Sequence, residues 1–549
     1  MKRTAKPIHR KPFVWGIVLV LVFLAIHLAV ARDYGLTWDF HYHFFGGAKF
    51  LGYNWNEIEP RPLPYTGLDP RTTLDLPYGP IMSIPPVASF LLFSKALHLL
   101  PQDTAYNLPI ILWGVAGIGV LYVFMYQAFS PGVAIVAALF LALTPRYFAD
   151  LHNNMKDIPS AVVFALNMWL VWRLVRFRRL KDLILAAVGF AIAFNVKVNS
   201  IFIPVIFAVW LMVQKTQKVR IFWYFLLAPL AALLLWSLFW PDPIGQLMHM
   251  ITTFGVGTDN IEVLLNGHWY CSGKNVPWYY PYWYLAITTP LVLLVFFLIG
   301  LIRLIRHIRP IGLLLLLWFF LPLTRYLIPK IGVIDGIRHF EEVLFPLSAL
   351  AAIGADHLIR WIKNRRCIPN ALHQGILTTF LLFTFYFLLF TIYSYHPYQI
   401  TYYNELVGGI KGAFGKYDLD YWGSSQKQAV LWLNGHAPKN SVVNIVMAAD
   451  VAGTYLRPDL LSRLNTTGIS EADFTVVLNR QSFFYRYHIT DYIRMYEPAY
   501  TVETQGVPLV WIYDNKRKKE TLQEPWWGGE DPCIAKYWVI PPSSGSPAQ

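Results

Sequence analysis

Apolar stretches recur along the first three quarters of this 549-residue chain, near 13–31, 80–100, 107–128, 131–147, 158–175, 182–197, 200–214, 221–240, 283–302, 311–329, 340–359 and 372–395. A bilayer core is crossed by a helix of about 20 apolar residues, and lipid offers no partner to an unpaired backbone N–H or C=O. Repetition on this scale restricts the chain to one fold class, an α-helical polytopic membrane protein. Composition agrees. Residues are 56% hydrophobic and only 14% charged, with a mean hydropathy of +0.41, whereas soluble domains carry about 25% charge. The net charge of +14 lies in short patches between apolar runs, the positive-inside pattern rather than a nucleic-acid-binding face.

Those patches set the topology. Basic clusters occupy the N-terminus (Lys2, Arg3, Lys6, Arg10, Lys11), then Arg173–Lys181, Lys215/Lys218/Arg220, Arg303/Arg306/Arg309 and Arg360/Lys363/Arg365/Arg366. From the second cluster onward, successive clusters are two segments apart, so they share a side. Five segments separate the first two, so one of the five does not cross. The segment 80–100, with Pro85-Pro86, Lys95 and His98, reads as a helix along the interface; dropping 131–147 instead restores parity equally. About eleven spans remain, with the N-terminus cytoplasmic.

The same count places the first external loop (32–106), the loop 241–282 and everything after about 396 outside. The chain divides into a multi-span unit, 1–395, and a small extracytoplasmic α/β domain, 396–549. The latter is expected from a helix near Gln426–Leu433, from β-type runs at Val442–Met447, Phe474–Leu478 and Val507–Tyr513, and from a Pro/Ser-rich end. The first segment reads as an uncleaved anchor more readily than as a signal peptide. Cys271 and Cys533 both fall outside, where a disulfide is open to them, although two unpaired thiols is the plainer expectation.

Asp39 and Asp157 are the expected catalytic pair. Each stands at a span end, and parity puts both on the outer face. A helix-capping role is the structural alternative for each. Arg146, Lys156, Lys197, Arg338 and His339 put cationic groups at the same ends against the positive-inside tendency, and an anionic phosphate would account for them together. His41, His43, His152, Asn154, His268 and Trp269 are candidates for acceptor or sugar contacts. The histidines lack metal-ligand spacing, so a divalent metal is left open.

The ordered set Thr37-Trp38-Asp39, Thr144-Pro145-Arg146-Tyr147-Phe148, His152–Pro159, Lys197-Val198-Asn199, Asp335–His339, His396–Gln399 and Asp420–Gly423 resembles the dolichyl-phosphate-mannose–protein mannosyltransferase-like glycosyltransferases. These belong to the membrane-embedded GT-C class, which includes the aminoarabinose transferases of lipid A. The resemblance implies a polyprenyl-phosphate-linked sugar as donor substrate and a protein or glycolipid acceptor. It also implies a catalytic aspartate in the first external loop (Asp39), an acidic residue in the second (Asp157) and a bacterial inner membrane. Many relatives carry a second acidic residue directly after the first aspartate; here Phe40 follows. The alternative function is a transporter or flippase for a lipid-linked substrate. Against it, the charges sit at span ends rather than the midplane, and no repeated halves are evident.

Overall fold

The computed structural model describes residues 10–53, 79–214, 219–236, 239–253, 259–328, 330–364, 370–465, 471–519 and 533. The extreme N-terminal basic cluster, Lys215, Lys218, Arg365, Arg366, Cys367 and the end 541–549 lie outside the described residues. The first two thirds are helical: α1 (Arg10–Ala29), α2 (Phe40–Phe50), α3 (Pro80–Ser89), α4 (Gln102–Ala128), α5 (Pro131–Ala142), α6 (Pro145–Asn153), α7 (Asp157–Phe177) and α8 (Leu180–Val196) come first. Helices Phe202–Val213, Tyr224–Leu235, Leu291–Arg306, Pro310–Phe320, Leu344–Lys363 and Asn370–Ser394 follow.

Among the described residues, five helical stretches are long and apolar enough to cross a membrane: Phe13–Asp33, Gln102–Ala128, Asp157–Phe177, Pro310–Leu327 and Arg338–Lys363. A sixth forms if α5 and α6, bent by 65°, count as one span. The other apolar runs fall below that length among the described residues, as in Val198–Val213, Tyr224–Leu235 and Thr379–Ser394, and proline breaks some of them. Pro145 ends the 131–147 run in a bend, and Pro290 separates Tyr280–Thr288 from Leu291–Arg306. The 80–100 run forms α3 and then a π-helical turn at Phe90–Ala96, and it packs against α2, α4 and α8.

Close packing is concentrated at glycines. A Cβ on Gly300 would lie 1.9 Å from the Leu350 carbonyl oxygen, and one on Gly354 would lie 2.0 Å from that of Phe296. Leu291–Arg306 and Leu344–Lys363 therefore cross backbone to backbone, as small residues permit in membrane helices. The α7–α8 hairpin governs the site. Arg173 bridges buried Asp182 at 3.0 Å at its closed end. Along its length the Asn167 side-chain amide donates to the Val163 and Gly189 carbonyls, each at 2.8 Å. Two antiparallel helices pinned in this way bring the start of α7, Asp157, beside the residue after α8, Lys197.

Strands β1 (Glu262–Leu265) and β2 (His268–Cys271) form a hairpin whose turn, Asn266-Gly267, takes positive φ at both residues. The C-terminal part builds a five-stranded sheet from β3 (Val443–Val446), β4 (Leu464–Asn465), β5 (Phe474–Leu478), β6 (Tyr496–Thr504) and β7 (Val507–Lys518). Its order is β4-β3-β5-β7-β6, parallel around β3 and antiparallel around β7. Helix Gln426–His436 packs on it. Cys271 and Cys533 are joined in a disulfide. This corrects the expectation of two unpaired thiols: β2 holds Cys271 fully buried beside the returning tail.

Candidate active site

Asp39 occupies the N-cap position of α2, yet its carboxylate makes no capping hydrogen bond. It instead accepts from the Lys156 ammonium and, at 2.9 Å, from the Arg338 guanidinium. Asp157 likewise begins α7 without serving as its cap. The Asn154 side-chain oxygen accepts from the Asp157 N–H at 2.9 Å, which leaves the Asp157 carboxylate to take Lys197 Nζ at 2.5 Å. Neither carboxylate caps its helix, although Asp157 does stand in the first turn of α7, and the two lie in one cluster drawn from α2, α7, the end of α8 and the segment before Leu344.

The cluster continues outward as a chain of alternating charge. Arg338 also bridges Asp335 at 2.7 Å, and Asp335 accepts from Arg480 at 2.8 Å. Asp335 takes a left-handed backbone (φ +57°), and Gly336 (φ +65°) completes the turn that folds Arg338 back onto it. Lys156 and Arg338 face Asp39, Arg338 and Arg480 face Asp335, and the buried carboxylates of Asp157 and Asp418 lie close to the same cations. Every member is nearly buried except Asp39, whose side chain is 30% exposed. Solvent therefore reaches the chain at Asp39. Burial would raise this carboxyl, but the Lys156 ammonium and Arg338 guanidinium outweigh it and hold it well below the usual range. Neighbouring His43 is pushed down to about 3, by burial first and then by Lys156, so its imidazole is neutral.

An aromatic wall backs the cations. The Trp422 ring lies 4.6 Å from the Arg338 guanidinium and 5.6 Å from the Lys156 ammonium, within cation–π range. The Trp422 carbonyl accepts from the Trp38 N–H at 3.0 Å, which fixes the wall to the residue preceding Asp39. Arg480 donates to the Tyr421 carbonyl at 2.8 Å and stacks on Phe483 at 3.7 Å. The C-terminal part thus contributes Trp422 and Arg480 to the site directly.

The remaining candidates are placed elsewhere. Arg146 is fully buried between the Tyr403 and Tyr421 rings and donates to the Tyr402 carbonyl at 3.4 Å, while its Nε and Nη1 have no hydrogen-bond partner among the described residues. His152, read as a sugar contact, is sealed between His27 (3.2 Å) and the stacked Tyr34 ring (3.7 Å). His41 pairs with Asp450 at 3.3 Å. Buried Asn154 donates to Glu341 at 3.2 Å as well as capping α7. His339 belongs to the segment that carries Arg338, and its carbonyl accepts from Arg325. On the β1–β2 hairpin, His268 is exposed, and Trp269 is buried with its ring 5.7 Å from Tyr485. No group of three or more histidine, cysteine or acidic side chains suited to a metal occurs among the described residues. Sequence reasoning missed Asp335 and Arg480 as site residues. Arg480 meets Asp335 only in three dimensions, whereas Asp335 lies three residues before Arg338 in the Asp335–His339 motif and its pairing is locally readable.

Residues 83–240 match the family described as dolichyl-phosphate-mannose-protein mannosyltransferase. That stretch includes Lys156, Asp157 and Lys197 but not Asp39, Arg338 or Arg480. No curated protein sequence matches the chain. The crystal structure of ArnT from Cupriavidus metallidurans in the apo state aligns with a TM-score of 0.52 at 14% identity, covering 91% of this chain and 97% of that one. The same protein bound to undecaprenyl phosphate gives 0.51 at 14%, covering 93% and 99%. An Archaeoglobus fulgidus oligosaccharyltransferase in the apo form gives 0.48 at 11%, covering 86% and 71%. At such identities the likeness defines fold. The chain is a helical membrane protein with the GT-C architecture of ArnT, and the resemblance read from its motifs is met at that level.

Proposed function

We propose that this chain is a membrane glycosyltransferase that moves a sugar from a polyprenyl phosphate to an acceptor hydroxyl on the extracytoplasmic face. The carrying observation is the partly exposed Asp39 carboxylate held between the Lys156 ammonium and the Arg338 guanidinium at the end of a buried ion chain. A phosphate brought to this edge meets Lys156 and Arg338 beside the partly exposed carboxylate, and the phosphate bound by the ArnT structure is carried by a polyprenyl lipid. With both cations turned toward phosphate, the Asp39 carboxyl returns toward its usual range and becomes a stronger base. Donor arrival and base activation are thereby coupled.

The reaction then balances simply. The acceptor hydroxyl gives its proton to Asp39, and its oxygen attacks the anomeric carbon. The bond from that carbon to the phosphate oxygen breaks, and the lipid phosphate leaves with the electron pair. Lys156 and Arg338 stabilise the developing charge, and displacement in one step inverts the anomeric centre. Asp157, held by Lys197, orients Lys156 through the shared start of α7. The Cys271–Cys533 disulfide supports an oxidising compartment for this face. Arg303, Arg306, Arg309, Arg360 and Lys363 gather at the other ends of the helices, which supports a cytoplasmic location there.

The test is Asp39→Asn expressed in a strain deleted for the chain. Mass spectrometry of envelope glycans, glycolipids and glycoproteins reads the product that the intact chain restores. The variant is expected to lose transfer by about 10²–10⁴-fold while keeping the wild-type elution profile and melting curve. Near-normal product with Asp39→Asn removes Asp39 from the base role. Lipid movement in vesicles without a new glycosidic bond replaces the transferase reading with a flippase.

A further inference from the structure

At the opposite end of the helices lies a cavity lined by basic side chains that glycosyl transfer does not use. Its volume is about 370 Å³, within the roughly 300–1,000 Å³ of small-molecule sites. Arg303, His307, Arg309, Asp356, His357 and Arg360 line it. The acidic member is already engaged, since Arg360 binds Asp356 at 2.7 Å. Among the described residues Arg303 and Arg309 have no carboxylate partner, so the cavity holds two unmatched guanidiniums. Ser130 lies on its wall, where its hydroxyl caps the 12-residue α5 by accepting from the Val133 N–H. The positive end of that helix dipole therefore adds to the field.

The location argues for a lipid. Arg338 and Arg360 are borne on the same helical stretch, Arg338–Lys363. Twenty-two residues of helical rise separate them by about 30 Å, close to the roughly 30 Å hydrocarbon thickness of a bilayer. If Asp39 sits at one interface, this cavity sits at the other. Ile302, Ile305 and Ile308 are exposed on the helix end that carries Arg303, an apolar flank for acyl chains. Phe129 and Val133 line the inner side. Basic pockets between membrane helices take anionic headgroups, and guanidinium groups grip phosphate oxygens through paired, charge-assisted hydrogen bonds.

We infer that the cavity between Ser130, Arg303, Arg309 and Arg360 is a phosphate-binding site, filled by the headgroup of an anionic phospholipid or by a soluble phosphate. It is independent of the catalytic proposal and stands whether or not Asp39 is a base.

The test uses the full chain purified in detergent and titrated separately with phosphatidylglycerol, phosphatidylcholine and inorganic phosphate. Bound adducts are read by native mass spectrometry. Phosphatidylglycerol is expected to be retained over phosphatidylcholine, whose zwitterionic headgroup carries no net negative charge and sets an ammonium beside its phosphate. R303Q/R309Q is expected to weaken that retention by about tenfold or more. R176Q, at an exposed arginine outside the cavity, should leave it unchanged. Arg309 is exposed, so R309Q alone serves should the double variant misfold. Inorganic phosphate displacing the lipid would identify a soluble phosphate as the occupant; failure to displace it would identify the lipid headgroup. Equal retention by wild type and both cavity variants, or an equal loss in R176Q, overturns the site.

Discussion

Lys197→Met would leave the Asp157 carboxylate without the ammonium now 2.5 Å away, at a position where the Asp157 side chain is only 1% exposed. Water cannot replace the lost partner there. Breaking a buried pair from one side costs about 3–5 kcal/mol, because an uncompensated charge stays behind, whereas replacing both partners with apolar groups is close to neutral. Lys156 and Arg338 lie nearby and recover part of the loss, which places the expected destabilisation near the lower bound, about 3 kcal/mol. The double variant K197M/D157L removes both charges and should return to within about 1 kcal/mol of wild type. It should nevertheless stay inactive, since Lys156 loses the carboxylate beside it. Denaturant titration in mixed micelles measures the first quantity, and product formation in the complemented deletion strain measures the second. If K197M alone melts like wild type, Asp157 is hydrated or protonated and the pair is not structural. If K197M/D157L regains transfer along with stability, the pair acts only as scaffold.

Arg480→Gln should remove two charge-assisted hydrogen bonds of 2.8 Å, release Asp335 to Arg338 alone, and lower turnover by about tenfold or more; R480K should recover only part, which kcat measured apart from KM would reveal. His43 titrates at about 3 in the fold, so the unfolded chain takes its proton first as pH falls. Its contribution is intact above about pH 6.5, shrinks as pH falls toward 3, and amounts to about 2 kcal/mol between pH 7 and 5. His43→Gln should flatten that difference in denaturant titrations at the two pH values. Gly300→Ala should force Leu291–Arg306 off Leu344–Lys363 and destabilise by about 1–3 kcal/mol in the same titration. Alkylation of the denatured, unreduced protein should label one cysteine of the three in the sequence, and all three after reduction.

What the sequence makes legible follows from the range of each interaction. Asp39 and Asp157 stand out because a carboxylate beside an apolar run is costly unless something nearby offsets it, and the offsetting lysines and arginine are themselves conspicuous at span ends. The strands Val443–Val446 and Phe474–Leu478 are legible in β-branched runs. Hydropathy overstates helix length, however, since it registers apolar composition and passes over Pro145, Pro290 and Pro322, where helices bend or stop. His152 misleads for a different reason: its spacing fits a site loop, but an unforeseen stack on Tyr34 and His27 turns it inward. Arg480 lies 145 residues from Asp335, and nothing local marks it as half of a pair.

Because Trp422 and Arg480 reach onto the charges at the helix ends, the C-terminal sheet cannot be exchanged like a detachable module. A hybrid that grafts the sheet of one homologue onto the helices of another will work only where both halves carry matching partners at 335 and 480. Variation in the C-terminal part is thereby freest on surfaces that do not meet these charges.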